Sequence, residues 1–116
     1  MKILVVEDED DVRRALLRLL EDNGHEVVTV SGKDRALGYL RRWQADLVIT
    51  DLNMDKVDDG LDLILEADAR HSSIKFWLVS AGMTDKVVAK AKDLGAERII
   101  PKSMLLQVLK EDGIIT

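Results

Sequence analysis

The chain has 116 residues, of which 47% are hydrophobic and 34% are charged; its formal net charge is −5, and it contains no cysteine. This length and apolar content fit one domain over residues 1–116, and the lack of cysteine excludes disulfides and thiolate metal sites and suits a cytoplasmic protein. The acidic balance argues against direct contact with nucleic acid, and no apolar run approaches the ~20 residues that span a membrane.

Five short apolar segments, most of them rich in valine and isoleucine, predict buried β-strands. In chain order they cover residues 3–6, 26–30, 47–50, 76–79 and 98–101.

A segment with helical periodicity follows each predicted strand, because apolar residues recur there at spacings of three and four. The apolar faces consist of Val12/Leu16/Leu19/Leu20, Ala36/Leu37/Leu40/Trp43, Leu61/Ile64/Leu65, Val87/Val88/Ala91/Leu94 and Leu105/Leu106/Leu109. The charged pairs Arg13-Arg14 and Arg41-Arg42 lie within two of these patterns, and we interpret both pairs as solvated helix faces.

Residues with capping preferences flank these segments. Ser31, Thr84 and Ser103 lie where helix N-caps are expected, since their hydroxyls accept hydrogen bonds from free main-chain N–H groups. Asn23-Gly24 and Gly95 follow the first and fourth helical patterns, where a left-handed residue commonly ends a helix.

The regular alternation of strand and helix predicts an α/β fold, because parallel strands need helical crossovers. Five strands are too few for a (β/α)₈ barrel. We therefore expect an open, doubly wound five-stranded parallel sheet with the flavodoxin-like order 2-1-3-4-5 and helices on both faces. In such a sheet the ligand site lies beyond the carboxyl ends of strands 1 and 3, where the strand order reverses.

Polar residues follow four of the predicted strands at that edge. Glu7-Asp8 follow strand 1, Asp51 strand 3, Ser80 strand 4 and Lys102 strand 5. Three clustered carboxylates repel one another unless a cation binds there, and carboxylate oxygens suit Mg²⁺. A carboxylate is also a possible nucleophile for a phosphoryl group, whose charge Mg²⁺, Lys102 and the Ser80 hydroxyl would stabilise.

Four segments together resemble the receiver domain of two-component response regulators. They are residues 3–9, residues 47–54, residues 79–81 and Lys102, and the resemblance extends from about residue 2 to residue 109. It implies a single receiver domain, either free or cut from a longer regulator or hybrid kinase. It also implies a signalling switch that accepts a phosphoryl group, rather than a turnover enzyme.

The resemblance also implies a role for each site residue. Asp51 would be the phosphoacceptor, Glu7 and Asp8 the acid pair that organises Mg²⁺, the Asn53 carbonyl a further metal ligand, Ser80 the switch hydroxyl and Lys102 the cation that contacts the phosphoryl group. The donor would be a histidine kinase or a phosphotransfer protein. The output would pass through a downstream protein or a fused output domain.

The chain departs from the family pattern at several positions. Asp55 replaces the usual proline of the acceptor loop, and Ile99 replaces the usual aromatic switch residue. Proline precedes Lys102 instead of following it, and we expect the bond between Ile100 and Pro101 to be trans. These departures leave open a degenerate receiver that acts only as a protein-interaction module.

Two further alternatives belong to other functional classes. A calcium loop would use oxygen-bearing side chains at EF-hand spacing, namely Asp51, Asn53, Asp55, Asp59 and Asp62, but lysine stands where the turn needs glycine and the last residue is not glutamate. A small phosphohydrolase would use Asp51 as nucleophile, although Asn53 stands where its second acid is expected.

Overall fold

The computed structural model describes residues 1–116 and contains five strands that alternate with five α-helices. The strands are β1 (Lys2–Val6), β2 (Glu26–Val30), β3 (Leu47–Asp51), β4 (Lys75–Ser80) and β5 (Arg98–Pro101). The helices are α1 (Asp10–Asp22), α2 (Lys33–Leu40), α3 (Asp59–Glu66), α4 (Asp85–Leu94) and α5 (Leu105–Glu111). Short 3-10 turns cover Ala69–His71 and Lys102–Met104. None of the helices is both long enough and apolar enough to cross a lipid bilayer.

All strand pairs are parallel, and the strand order is β2-β1-β3-β4-β5. The predicted α/β fold and strand order are therefore confirmed. The register matters for the site, because Val6 on β1 pairs with Thr50 on β3. The residues that follow them, Glu7 and Asp51, consequently emerge side by side at the carboxyl edge.

Each face of the sheet is covered by its own set of helices, as predicted. One face packs Leu4, Val6, Val48, Phe76 and Leu78 against α2, α3 and α4. The other face packs Ile3, Val5, Ile49, Trp77 and Val79 against α1, α5 and the segment that follows α5. Alternate residues of each strand thus enter different apolar layers, which explains the continuous apolar runs in the sequence.

Two predicted core positions are wrong. Leu65 is 56% exposed and Leu106 is 54% exposed, whereas Leu63 is fully buried. Helix α3 lies between α2 and α4, so its buried stripe is broad and includes Leu63 and Ile64. Leu65 shares the solvent side with Asp62, which lies three residues before it on the same helix face.

Three of the predicted helix boundaries are confirmed. Gly24 and Gly95 follow α1 and α4 with φ angles of +86° and +103°, in the left-handed region that favours glycine. The Thr84 hydroxyl accepts a hydrogen bond from the Val87 N–H at 3.2 Å and so caps α4.

The other two predicted N-caps are wrong. The N-cap residue of α2 is Gly32, not Ser31, and it provides no side-chain cap. Ser103 lies inside the 3-10 turn, and Met104 occupies the N-cap position of α5. At both sites the chain enters the helix one residue later than the hydroxyl pattern indicates.

The chain contains no cis peptide bond, so the bond between Ile100 and Pro101 is trans, as expected. After α5 the chain folds back onto the protein. Ile114 and Ile115 are 7% and 4% exposed, and the Ile114 carbonyl hydrogen-bonds with the His25 ring at 2.7 Å. The segment after α5 is therefore part of the apolar layer that contains α1.

Candidate functional site

Three acids meet at the carboxyl ends of β1 and β3. Glu7, Asp8 and Asp51 each place a carboxylate oxygen within 4.8 Å of the other two. Glu7 is 3% exposed, and the Asp51 side chain is 11% exposed, whereas Asp8 faces solvent. The structure thus brings together the three carboxylates that the strand ends predict.

Lys102 joins this cluster from the turn that follows β5. Its Nζ lies 3.1 Å from Oε1 of Glu7 and 3.7 Å from Oδ2 of Asp51. The side chain is 32% exposed, so the ammonium group stands at the edge of the cluster. Lys102 thus contacts both Glu7 and Asp51. Its single positive charge does not balance the three carboxylates of the cluster.

The two buried acids respond oppositely to their surroundings. Burial together with the hydrogen bond and charge of Glu7 raises the pKa of Asp51 to about 8. Burial also works against ionisation of Glu7, but hydrogen bonds from Asp51, the Glu9 N–H and Lys102 lower its pKa. Near neutral pH the two carboxyl groups therefore retain one proton between them when no cation is bound.

The pKa values of the two more exposed groups also shift. Burial and the neighbouring Glu7 raise the pKa of Asp8. Burial opposes the charged form of Lys102, but its hydrogen bond with Glu7 and the charge of Asp51 outweigh this effect and raise the pKa of Lys102. The ammonium group is therefore fixed as a cation, while the acids gain from any additional positive charge.

Ser80 and Asn53 line the same cavity of about 390 Å³ as Asp51 and Lys102. Ser80 is 7% exposed, and its hydroxyl donates a hydrogen bond to the Gly82 carbonyl at 2.8 Å and accepts one from the Gly82 N–H at 3.2 Å. The Asn53 side chain accepts a hydrogen bond from the Asp58 N–H at 2.8 Å. Both predicted site residues thus border the cavity, with side chains held by their own loops.

This set of donors fits a hard divalent cation. Carboxylate oxygens from Glu7, Asp8 and Asp51 are the ligands that Mg²⁺ prefers, and Mg²⁺ commonly keeps several water ligands beside a few protein groups. A bound cation would offset the repulsion that holds a proton on Asp51. The acidic cluster is therefore compatible with a Mg²⁺ site.

The calcium-loop alternative is not supported by the geometry. Asp59 is 3% exposed and accepts a hydrogen bond from the Lys56 N–H at 2.9 Å, within the loop. Asp62 lies on the exposed side of α3. The acids that converge are Glu7, Asp8 and Asp51, so the EF-hand spacing does not produce a common ligand sphere.

Two structural residues beside the site were not identified from the sequence. A Cβ atom at Gly60 would lie 2.2 Å from the Asp51 carbonyl oxygen, so only glycine fits there. The Arg13 guanidinium donates to the Glu7 carbonyl at 3.0 Å and pairs with Asp10, and its side chain is 20% exposed. The interpretation of Arg13 as a purely solvated residue is therefore wrong. A glycine at the start of a helical segment could have indicated the close approach at Gly60. No feature of the sequence distinguishes Arg13 from its neighbour Arg14.

Comparison with known proteins agrees with this geometry. The family model of the response regulator receiver domain matches residues 3–112. The chain is 33% identical over 115 residues to the chemotaxis protein CheY of Pseudomonas aeruginosa, and the match covers 96% of this chain and 91% of CheY. It is 30% identical over 109 residues to the sensory/regulatory protein RpfC of Xanthomonas campestris pv. campestris, covering 90% of this chain but spanning only 15% of RpfC.

A solved structure of similar fold is that of the response regulator protein TrrA from Thermotoga maritima, determined in complex with Mg²⁺-BeF. The two chains superpose with a TM-score of 0.80 at 28% identity, over 97% of this chain and 95% of TrrA. The family match covers nearly the whole chain, and the sheet order and acidic edge agree with it. The chain belongs to the response regulator receiver domain family.

Proposed function

We propose that this domain is a phosphorylation switch that accepts a phosphoryl group on Asp51 with the help of Mg²⁺. The observation that carries the proposal is the convergence of Asp51, two further acids and Lys102 at one edge of the sheet. Glu7, Asp8, Asp51 and the Asn53 carbonyl would hold the metal ion. A degenerate receiver would not need to retain all of these groups at one edge of the sheet.

The proposed reaction is a direct transfer between two side chains. A carboxylate oxygen of Asp51 forms a bond to phosphorus while the P–N bond of a phosphohistidine breaks, and the leaving imidazole keeps the electron pair and takes up a proton. Mg²⁺, when bound, supplies positive charge to the transferring group. Lys102 neutralises part of the negative charge from the other side, because its Nζ already lies 3.7 Å from Asp51.

Asp51 must be ionised to act as the nucleophile, and its raised pKa bears on this step. The metal-free protein holds a proton on Asp51 near neutral pH, because the pKa is raised to about 8. A divalent cation favours the ionised form of nearby carboxylates. We therefore infer that cation binding and activation of the nucleophile are coupled.

The switch itself would act through Ser80. In the structure the Ser80 hydroxyl is held by the Gly82 main chain. A phosphoryl group on Asp51 offers a stronger, charged acceptor, so the hydroxyl would leave Gly82 and alter the loop that leads into α4. A partner that prefers one loop arrangement would then read the phosphorylation state.

The comparisons support the choice of partners and metal. RpfC is a sensory/regulatory protein, CheY acts in chemotaxis, and TrrA was solved with Mg²⁺-BeF. For this chain we propose a histidine kinase or phosphotransfer protein as donor, and a downstream protein or fused output domain as recipient of the signal. The domain itself would act in the cytoplasm, without turnover of an external substrate and without contacting nucleic acid.

The deciding experiment is intact mass spectrometry after incubation with acetyl phosphate and Mg²⁺. The wild type should gain the mass of one phosphoryl group, and Asp51→Asn should gain none. Asp55→Asn is a matched control, because Asp55 is an exposed acid in the same loop and should leave the gain intact. A wild type that stays unmodified with a competent cognate donor would favour the degenerate receiver, and rapid release of phosphate from esters would favour the phosphohydrolase.

A further inference from the structure

The guanidinium group of Arg13 is tied to the turn that carries the acid pair. Its Nη1 donates to the main-chain carbonyl of Glu7 at 3.0 Å, and its Nη2 pairs with Asp10 at 2.5 Å. The Glu7 carbonyl belongs to the peptide bond between Glu7 and Asp8, so the contact fixes the orientation of the peptide that joins the two acids. Arg13 is itself anchored in the first turn of α1, where its N–H donates to the Glu9 carbonyl at 2.9 Å.

The same turn is fixed from a second side. The Glu9 N–H donates to Oε2 of Glu7 at 3.2 Å, so the Glu7 carboxylate is held by the turn as well as by Lys102. Without Arg13 the Glu7 carbonyl would lose its side-chain partner, and the ψ angle of Glu7 and the φ angle of Asp8 would be less restrained. A net change in these angles would turn the Asp8 side chain relative to Glu7, which the Glu9 N–H and Lys102 still hold.

We propose that Arg13 is a positioning residue for the metal site: it orients the peptide between Glu7 and Asp8 so that their carboxylates converge with Asp51. This inference rests on the proposed function, because it concerns the acids that would hold Mg²⁺. It assigns a role to a residue that contacts neither the metal nor the phosphoryl group.

The charge of Arg13 and its positioning of the acids predict opposite changes in metal affinity when Arg13 is replaced. A positive charge beside a cation site repels the cation, so removal of that charge alone should tighten metal binding. If instead Arg13 positions the acids, its removal should weaken metal binding despite the lost repulsion. The sign of the change in affinity therefore separates the two explanations.

The adjacent arginine provides a matched control. Arg14 has the same charge and lies on the same helix, but its side chain is exposed and makes no hydrogen bond or ion pair. Arg14→Gln thus removes one positive charge near the acids without altering the turn. Arg13→Lys keeps the charge at position 13 but lacks the planar fork that reaches the Glu7 carbonyl and Asp10 together.

The test measures binding of Mn²⁺, which prefers the same oxygen ligands as Mg²⁺, from the electron paramagnetic resonance signal of the free ion. Arg13→Gln should bind Mn²⁺ roughly tenfold more weakly than the wild type, the lower end of the loss seen when an outer partner of a metal ligand is removed. Arg13→Lys should recover only part of the affinity, and Arg14→Gln should bind as the wild type does or slightly more tightly. Equal or tighter binding by Arg13→Gln would overturn the proposal.

A second pair of variants covers the case in which Arg13→Gln does not fold. Asp10→Asn releases one anchor of Arg13, and Asp11→Asn removes the same charge from the neighbouring, exposed position. Weaker Mn²⁺ binding by Asp10→Asn than by Asp11→Asn is expected, and equal binding would contradict the positioning role. A wild type that binds no Mn²⁺ would instead refute the proposed function and the role of Arg13 together.

Discussion

Lys102 forms a closer ion pair with Glu7 than with Asp51: its Nζ lies 3.1 Å from Oε1 of Glu7 and 3.7 Å from Oδ2 of Asp51. The contact occupies an oxygen of the carboxylate that we expect to assist in holding the metal ion. In the metal-free protein Lys102 therefore acts as a substitute cation. Binding of a divalent ion must compete with the ammonium group for Glu7, and the ammonium group then becomes available to a phosphoryl group on Asp51.

This competition predicts that Lys102→Gln separates metal binding from phosphorylation. The variant should bind Mg²⁺ severalfold more tightly, because the competing positive charge is gone. Its phosphorylation by acetyl phosphate should nevertheless be slower, because the transferring group loses a cationic partner. Metal titration and the time course of intact mass measure the two effects. Parallel losses of both would show that Lys102 supports the fold of the site rather than the transfer.

The shared proton predicts how stability depends on pH without metal. The folded-state pKa of Asp51 is raised to about 8, above its unfolded value of about 4. The contribution of Asp51 to stability is therefore fully present below about pH 4, declines between pH 4 and pH 8, and is lost above that range. Over this range the free energy of unfolding falls by at most about 1.4 kcal/mol per pH unit for one proton. Thermal melts from pH 5 to pH 9 with a chelator present measure this decline.

Asp51→Asn should flatten that decline, because asparagine cannot ionise. The variant should resemble the wild type near pH 4, where Asp51 is protonated in both the folded and the unfolded state. It should become progressively more stable than the wild type as the pH rises to about 8, where Asp51 ionises in the folded protein. Saturating Mg²⁺ should stabilise the wild type and have less effect on the variant. A variant that is less stable than the wild type at every pH would contradict the repulsion between Glu7 and Asp51.

The edge of the sheet was predictable from the sequence for a physical reason. Parallel strands place their carboxyl ends together, so the sequence predicts that residues distant in the chain meet at one edge. The register of β1 with β3 then brings Glu7 beside Asp51. Fold class and the composition of the acidic cluster follow from strand periodicity and from what stands after each strand.

Contacts made by main-chain atoms were not predictable in the same way. Arg13 donates a hydrogen bond to the Glu7 carbonyl, and Ser80 donates one to the Gly82 carbonyl. Since every residue has a main-chain carbonyl group, the sequence does not indicate which one is the acceptor. The apolar periodicity of α3 also led to the wrong prediction that Leu65 is buried. That pattern does not indicate how many other helices pack against α3. The loop between β3 and α3 contains the Asn53–Asp58 and Lys56–Asp59 hydrogen bonds, which the hydrophobic pattern does not indicate.

Gly60 predicts a strong steric effect of a single methyl group. In Gly60→Ala the Cβ atom would lie 2.2 Å from the Asp51 carbonyl and 2.9 Å from the Leu52 Cα, so main-chain atoms must move. We expect a loss of about 1 to 3 kcal/mol in unfolding free energy together with weaker Mg²⁺ binding, measured by denaturant unfolding and metal titration.

Gly38→Ala is the matched control for this substitution. Gly38 lies inside α2, and a Cβ atom there meets nothing within 4 Å. Alanine favours the helix by about 1 kcal/mol over glycine, so this variant should be stabilised and should bind Mg²⁺ normally. A Gly60→Ala protein as stable as the wild type would show that α3 shifts easily relative to β3.

The two Ser80–Gly82 hydrogen bonds make the switch hypothesis measurable by amide hydrogen exchange. In the unphosphorylated wild type the Gly82 N–H donates to the Ser80 hydroxyl at 3.2 Å and should be protected from exchange. Treatment with Mg²⁺-BeF, used here as a phosphoryl mimic, should draw the hydroxyl away and increase the exchange rate of the Gly82 amide.

Two variants serve as controls. In Ser80→Ala the Gly82 amide should exchange rapidly with or without Mg²⁺-BeF, and the variant should lose about 1 kcal/mol in unfolding free energy. Thr84→Ala removes a nearby hydroxyl that caps α4, and should lower stability by a similar amount while keeping the response of Gly82. Unchanged Gly82 exchange in the treated wild type would mean that Ser80 stays with its loop, and the signal to α4 would then have to pass through Lys102 or the β3–α3 loop instead.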